Sequence, residues 1–540
     1  MLPQGSLTGD GMSGMQGTTD YAQDEVIGFL QSGAAFPAPG PVSHVETHCA
    51  HVFLGGNVAL KIKRAVRYDY LDQSSPDLRR ALLDRELALN KPTAPMIYRD
   101  VVPVTRAADG GLEIDGAGPP VEWVLRMHRF AADCEMTQVA ASGRLTDAVA
   151  EALGQAVQQF HATCPERQDR GDELVRDILD ELGRVLPSLE SAVGGGLVHA
   201  FLGRARQRLD ALGPILRERS ALGHVKRVHG DLHLRNLLLI DGRPVLFDAL
   251  EFDERLATCD VLYDLAFLLM DLCHRGLGRQ ANVAMTAYLL AAEGAEDTGL
   301  SALPLFMSIR AAIRVMVLLQ TDQATGQTGA SSREAWLYLT QAVGHLDDAR
   351  PVLVAVGGMS GTGKTVLARD LAPEVGLCPG AVHLRTDTER KAQARRVDYA
   401  PDARRAIYDR MFARAANLLA AGRSVILDGT FLDDRQRSAA KAIAASSGIG
   451  FCGLWLTAPL PVLIDRVVSR RGDASDADAA VVRAQSASAD APVQCRHWKT
   501  IDAGGTTDMT RAAATAALES VLGASGDGTT GPGVGTHKSA

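Results

Sequence analysis

The spacing of hydrophobic and polar positions changes twice along the chain. From 44 to about 130, short runs separated by turn residues (HVFLGG, NVALKIK, IYRDVVPVT, LEIDG and VEWVLRMHRF) predict β-strands. One helical segment, 77–90, interrupts them, with Leu78, Leu82 and Leu89 along one side. Beyond Phe130 the period lengthens. Val149, Leu153, Ala156 and Phe160 recur at four, three and four residues, one face of a helix over 146–163. Helical text continues over 171–219, 260–274, 307–320 and 332–346. At Pro351 the pattern shifts again, because PVLVAVGG is a continuous apolar run of the kind a buried parallel strand shows. Similar runs end at Leu384, at Asp428 and before Pro459, each followed by helical text. The prediction is two domains: an α+β unit with a strand-rich and a helical lobe over 23–345, then an α/β unit over 346–522 with a parallel sheet flanked by helices.

Composition refines this picture at its ends. Residues 1–22 and 523–540 are rich in Gly, Ser and Thr without an apolar period, and predict disordered tails. The 540 residues are 46% hydrophobic and 22% charged, enough for more than one core. A net charge of -8 argues against wholesale electrostatic binding of nucleic acid or membrane. The eight cysteines are scattered without a C-x-x-C pair, which predicts reduced thiols. The start of the chain lacks a signal-peptide pattern, and apolar windows such as 261–273 are interrupted by Asp264 and Asp271 and fall short of a membrane span. A cytoplasmic protein without a membrane partner is expected.

Two stretches carry chemistry. In VHGDLHLRNLLLIDGRPVLFDALEF, His229, Asp231 and Asn236 stand as H-x-D-x-x-x-x-N, and Asp248 follows an apolar run. Phosphoryl transfer from ATP needs these groups: a carboxylate for the acceptor hydroxyl, here Asp231, and an amide and second carboxylate for Mg2+, here Asn236 and Asp248. Upstream, VALK places Lys61 on a strand, with Lys63 as its competitor, and Glu86 on the following helix can pair with it. HVFLGGN stands where a phosphate-covering loop belongs, and 123–127, ending in Met127, is either the connection whose backbone meets adenine or an ordinary buried strand. Asp260 and Asp264 are either N-terminal charge on a helix or, with Asp264 ahead, the buttress of the loop through His229. Glu251, Asp253 and Glu254 form either a solvated acidic turn or a surface for a cationic acceptor.

The second stretch is Gly358-Met-Ser360-Gly361-Thr362-Gly363-Lys364-Thr365, a G-x-x-x-x-G-K-[ST] P-loop between a strand and a helix. Its amides cradle phosphates, Lys364 reaches the β- and γ-phosphates, and Thr365 binds Mg2+. Asp387 and Arg390 follow the second strand, where ligands of open α/β sheets bind, and Asp428 ends the third as a further metal candidate. Arg466, Arg470 and Arg471 are lid candidates, the alternative being a solvated helix face. Lys391, Arg395, Arg396, Arg404 and Arg405 suit either a polyanion such as a nucleic-acid 5' end or an ordinary charged helix.

With these motifs, 23–345 resembles the aminoglycoside phosphotransferase superfamily, through HGDLHLRN and Asp248. Residues 346–522 resemble P-loop small-molecule and polynucleotide kinases, through GGMSGTGKT and the D-x-x-R of Asp387 to Arg390. The order, with KIKRAV and RELALN upstream, is similar to the fused aminoglycoside phosphotransferase/ATP-binding proteins. The resemblance implies a protein-kinase-like bilobal fold followed by a P-loop kinase fold, ATP and Mg2+ at two sites, and transfer to hydroxyl acceptors. It implies Asp387 as general base and Arg390 as a phosphate contact. The acceptor would be a small molecule for the first half, and a small molecule or a nucleic-acid 5'-hydroxyl for the second. The competing reading is a regulatory protein in which nucleotide occupancy acts as a switch without turnover.

Overall fold

The computed structural model describes residues 21–47, 49–68, 71–393, 401–469, 478–488 and 497–523. Apart from the helical residues Tyr21, Ala22 and Gly523, both expected tails lie outside these. The first lobe is a six-stranded antiparallel sheet in the order Val42–Glu46, Ala50–Gly55, Val58–Lys63, Pro120–His128, Tyr98–Arg106, Leu112–Ile114. Helix Tyr21–Gln31 seals one face with Val26 and Leu30, both fully buried. The edge strand Val42–Glu46 went unread because its burial is slight and its alternation weak.

The helix Pro76–Asn90 starts where the sequence says, with the Ser75 hydroxyl capping Leu78 N–H and Pro76 in the first turn. Its buried stripe, however, is not the leucine side. Leu78 is 41% exposed, while Arg79, Leu83, Glu86 and Asn90 face inward. The polar members are buried because each has a fixed partner from a distant strand or loop: Arg79 pairs with Glu122 at 2.7 Å, and Asn90 Oδ1 accepts from Ala249 N–H at 2.7 Å.

The helical lobe follows. In Asp147–Thr163 the buried face is Ala150, Leu153, Gly154, Val157 and His161, turned slightly from the predicted one, and Val149, Ala156 and Phe160 flank it half-buried. Gly154 permits a close crossing, since a Cβ there would lie 2.1 Å from the Ala284 carbonyl oxygen of helix Gly278–Ala291. Helix Leu303–Ala324 corrects the expectation about apolar windows: at 22 residues, with an 18-residue window of mean hydropathy 1.5, it is long and apolar enough to cross a membrane by length and composition, and 72% of that window is buried inside the fold.

The second unit is a five-stranded parallel sheet in the order Val382–Arg385, Val425–Asp428, Val352–Gly358, Gly450–Thr457, Trp498–Asp502. Alternate residues of its strands enter two cores. Val354, Val356, Ile426 and Leu454 pack under helices Lys364–Leu371 and Thr507–Gly523, whereas Leu353, Val382, Leu384 and Leu427 belong to the core that continues into the helical lobe. The two units therefore share apolar packing, supplemented by Asn282 Nδ2 donating to Ala381 O at 2.9 Å and by Cys273 and Cys378, whose sulfurs lie 2.9 Å apart. All seven cysteines among the described residues are free, and Cys495 lies outside them.

Candidate active sites

The loop holding Asp231 hangs between strand Val225–Arg227 and a buried helix, Val261–His274. Asp264 of that helix is fully buried and accepts from the backbone N–H groups of His229 at 3.2 Å and Gly230 at 3.0 Å, and bonds the His161 ring at 3.1 Å. It supports the loop through backbone amides instead of the His229 imidazole, whose Nε2 lies 3.0 Å from Phe247 O. Burial opposes ionisation of Asp264, yet the hydrogen bond and charge of His161 hold its carboxyl below the ordinary range. Further along the same helix, Asp271 accepts from Leu234 N–H at 3.0 Å. Asp260 acts elsewhere, capping this helix through Leu262 N–H and pairing with Arg219 at 2.6 Å.

Asn236 Nδ2 donates to both the backbone oxygen and Oδ2 of Asp231, each at 2.9 Å, so amide and carboxylate are fixed to one another. Burial would raise the Asp231 pKa; the facing His233 and His229 rings outweigh it and hold the carboxyl well below the usual range. The hairpin Leu237–Ile240 and Arg243–Leu246 then delivers Asp248, which has φ of 59°, an arrangement Asp tolerates better than most side chains. Asp248 is 3.1 Å from Lys61 Nζ, and its N–H donates to the Tyr98 hydroxyl.

Glu86 resolves the competition between the lysines by serving both. Its Oε1 is 2.7 Å from Lys61 and its Oε2 is 2.6 Å from Lys63. Lys63 continues to Glu251 at 2.5 Å and is 1% exposed, so it is enclosed, while Lys61 reaches Asp248. Burial works against charge in all three groups; the opposite charges prevail, holding both lysines above their ordinary pKa and Glu86 below its own.

Lys61, Tyr98, Met127, Asp231 and Asp248 line one cavity of about 550 Å³ between the lobes. Met127 lines it from within the sheet, paired with Ala59 on one side and Tyr98 on the other. Of the two readings of 123–127 the structure has the strand: they are central in the sheet, and the chain leaves it only after His128. HVFLGGN is strand Ala50–Gly55 plus a tight turn at Gly56 and Asn57, a short hairpin. The acidic cluster divides, with Glu251 buried, Asp253 half-buried and Glu254 exposed but paired with arginines. Glu251 is buried on Lys63, Glu254 contacts Arg85, Arg167 and Arg227, and Asp253 accepts from Arg255 and Leu256 N–H.

In the second unit the P-loop turns through Gly358, Gly361 and Gly363 at positive φ. A Cβ at Gly358 would sit 2.5 Å from Leu456 O, so only glycine fits. Thr365 Oγ1 donates to Asp428 Oδ2 at 2.6 Å, and Lys364 Nζ to Met359 O at 2.9 Å. Thr362 Oγ1 also bonds Met359 O, and Ser360 N–H donates to Gln485 at 2.8 Å. Asp428 also meets His383 at 3.3 Å and Arg385 at 3.5 Å. Asp387 and Arg390 pair at 3.1 Å on helix Thr386–Gln393, directly after strand Val382–Arg385. Between them in sequence, buried Glu389 pairs with Arg414 at 2.6 Å, and Arg414 also holds Asp297 of the helical lobe at 2.9 Å.

Of the lid candidates, Arg466 donates to Ala503 O at 2.8 Å and Gly505 O at 3.3 Å, tying its helix to the loop after the last strand. Together with Thr362 and Gly363 these line a cavity of about 200 Å³. Arg470, Arg471, Arg395 and Arg396 lie outside the described residues, as do the side chains of Lys391 and Arg404; Arg405 is exposed. His161, Asp271, Tyr98, His383 and Gln485 carry no signal in the sequence, since no spacing marks them.

Residues 83–300 match the phosphotransferase enzyme family, and residues 353–492 match an AAA domain of the P-loop class. The chain joins two kinase-like domains. Kinase families of these types use ATP with Mg2+. The first match begins inside the Glu86 helix, so Lys61 precedes it. The uncharacterized proteins Rv2004c of Mycobacterium tuberculosis (strain H37Rv) and Mb2027c of Mycobacterium bovis are each 27% identical over 460 residues, 82% of this chain and 89% of theirs. Among solved structures, a choline/ethanolamine kinase family protein from Mesorhizobium loti is 16% identical, covering 60% of this chain and 99% of its own at TM-score 0.36. A gluconokinase from Sinorhizobium meliloti is 17% identical, covering 33% and 98% at TM-score 0.27.

The donor sets of both kinase-like domains suit Mg2+. Among the described residues no group of three or more His, Cys, Asp or Glu forms a metal site. The candidates are hard oxygens in small number, Asn236 with Asp248 and Thr365 with Asp428, which fits an ion held by one or two carboxylates together with water and phosphate.

Proposed function

We propose that the chain is an ATP-dependent phosphotransferase with two nucleotide sites, each transferring the γ-phosphate to a hydroxyl group. The observation that carries the reading is the convergence of Lys61, Asp231 and Asp248, far apart in sequence, on one cavity. In the first site Lys61, anchored by Glu86, holds the α- and β-phosphates, and Asn236 and Asp248 supply metal oxygens. Asn236 engages Asp231 Oδ2, so Oδ1 orients the acceptor hydroxyl and receives its proton. A carboxylate held well below its ordinary pKa is a weak base, so its main contribution is positioning, and the proton leaves late. Bound Mg2+ neutralises the phosphate oxygens.

In the second site the amides from Gly358 to Gly363, with Ser360, Gly361 and Thr362, cradle the phosphates. Lys364 and Thr365 follow at the helix N-terminus, Asp428 orients Thr365, Asp387 activates the acceptor and Arg390 contacts the phosphate. The acceptor of the first site is a small molecule; that of the second is a small molecule or a nucleic-acid 5'-hydroxyl. The buried Asp297–Arg414–Glu389 link supports a second reading, in which nucleotide at the P-loop acts as a switch on the helical lobe without turnover.

The test is a metabolite extract and an oligonucleotide pool incubated with γ-labelled ATP and the full chain. Products that gain phosphate and vanish separately with Asp231→Asn and with Asp387→Asn support two transferases. Label transfer unchanged in both variants rejects this reading.

A further inference from the structure

A second cavity, of about 260 Å³, opens on the other side of the Asp231 loop. It shares Asp231 and Leu250 with the nucleotide cavity, so the two spaces meet at the proposed acceptor carboxylate. A phosphate donor on one side and a hydroxyl on the other would face each other across Asp231.

The cavity wall holds two buried polar groups with no hydrogen-bond partner among the described residues. Tyr263 is 3% exposed and its hydroxyl bonds nothing; Arg310 is 5% exposed and its Nη2 bonds nothing. The other Arg310 nitrogens reach only carbonyl oxygens, Tyr263 O and Gly230 O, both at 3.4 Å. The nearest acid, Asp264 Oδ1, is 3.9 Å from Nη2 and is already engaged by the Gly230 amide. The guanidinium carbon lies 4.1 Å from the centre of the Tyr263 ring and 4.7 Å from that of Phe267. Buried groups of this kind ordinarily find partners, and a fixed guanidinium beside a hydroxyl donor matches a carboxylate. Of the other acids on its wall, Asp177 pairs with Arg255 and Glu181 with Arg184, both arginines of the same wall, and Asp180 is exposed to water.

Resting on the phosphotransferase reading of the first site, we infer that its acceptor is a small hydroxy acid, with its carboxylate on Arg310 and Tyr263 and its hydroxyl on Asp231. A small acid fits this volume. In the reaction the hydroxyl oxygen forms a bond to the γ-phosphorus as the bond to the β–γ bridging oxygen breaks. The electron pair leaves with ADP, and the hydroxyl proton passes to Asp231 Oδ1.

The experiment uses the full chain with Mg-ATP and a panel of glycerate, 3-hydroxybutyrate and 4-hydroxybutyrate. Their amides and a set of neutral and cationic alcohols run beside them, and products are read by phosphorus NMR. The expected result is Asp231-dependent phosphorylation of one or more acids, favoured over the matching amide by more than about 100-fold in kcat/KM. Tyr263→Phe and Arg310→Lys should raise KM for the acid and shrink that preference, with kcat less affected. The melting temperature of Tyr263→Phe should stay at the parent value, because its hydroxyl has no partner to lose. Equal use of amides, or Asp231-dependent use of only neutral or cationic alcohols, overturns the hydroxy-acid inference and leaves the phosphotransferase reading standing. An unaltered acid preference in both variants does the same. Failure to phosphorylate any alcohol in an Asp231-dependent way overturns both.

Discussion

Replacing Glu86 by Ala tests how the first site is held together. Glu86 is fully buried and is the one carboxylate shared by Lys61 and Lys63 among the described residues. Its removal leaves Lys63 with Glu251 alone, and Lys61 with Asp248, whose side chain is 43% exposed and therefore a weaker, water-screened partner. Breaking a buried ion pair from one side costs about 3–5 kcal/mol, because the remaining charge stays desolvated. With a urea slope of about 2 kcal/mol/M, that loss moves the midpoint down by roughly 1.5–2.5 M. Since two domains need not unfold together, the midpoint is best read locally, by hydrogen exchange of strand Val58–Lys63. Turnover at the first site should fall by about 100-fold in kcat/KM, equivalent to about 2.7 kcal/mol of lost transition-state stabilisation, as Lys61 loses its anchor. Glu86→Gln, which keeps an acceptor oxygen and loses the charge, should fall between parent and Ala. A destabilisation below about 1 kcal/mol with turnover unchanged would refute the shared-carboxylate account.

Further outcomes are expected at three other places. Asp264→Asn retains one acceptor oxygen for two backbone amides, so kcat at the first site should drop at least about tenfold while KM for ATP holds, as steady-state kinetics would show. Glu296 is pushed up by burial and, more strongly, down by His224 and Arg219, to about 2 from 4.5. Its stabilisation, about 3 kcal/mol, is therefore present above pH 4.5 and lost as pH falls toward 2; Glu296→Gln should flatten that acid limb in denaturant titrations. Cys273 and Cys378 bring the two units within bonding distance, so diamide should link them as a disulfide found by non-reducing peptide mapping, and its absence would contradict the domain packing.

The motif-bearing loops were legible because local chemistry dictates them. Glycines at positive φ, a Lys-Thr pair at a helix start and the H-x-D-x-x-x-x-N spacing all act over a few residues. The sheet strands other than Val42–Glu46 and Trp498–Asp502, and the existence of the Glu86 helix, were legible from period alone. What failed was whatever long-range pairing decides. On Pro76–Asn90 the leucine stripe lost to Arg79, Glu86 and Asn90, whose partners Glu122, Lys61, Lys63 and Ala249 are remote in sequence. Within the acidic text, Glu251 departs from a solvent-facing turn for the same reason, because its partner Lys63 lies on a remote strand. Arg310 and Tyr263 carry no sequence signal, and only the cavity gives them meaning.

The most direct test of the two-site account is the binding stoichiometry of a non-hydrolysable ATP analogue with Mg2+, measured by titration calorimetry on the full chain. Two molecules per chain are predicted, with Lys61→Met removing one and Lys364→Ala removing the other. A stoichiometry of one, or the loss of both by either single substitution, would contradict it.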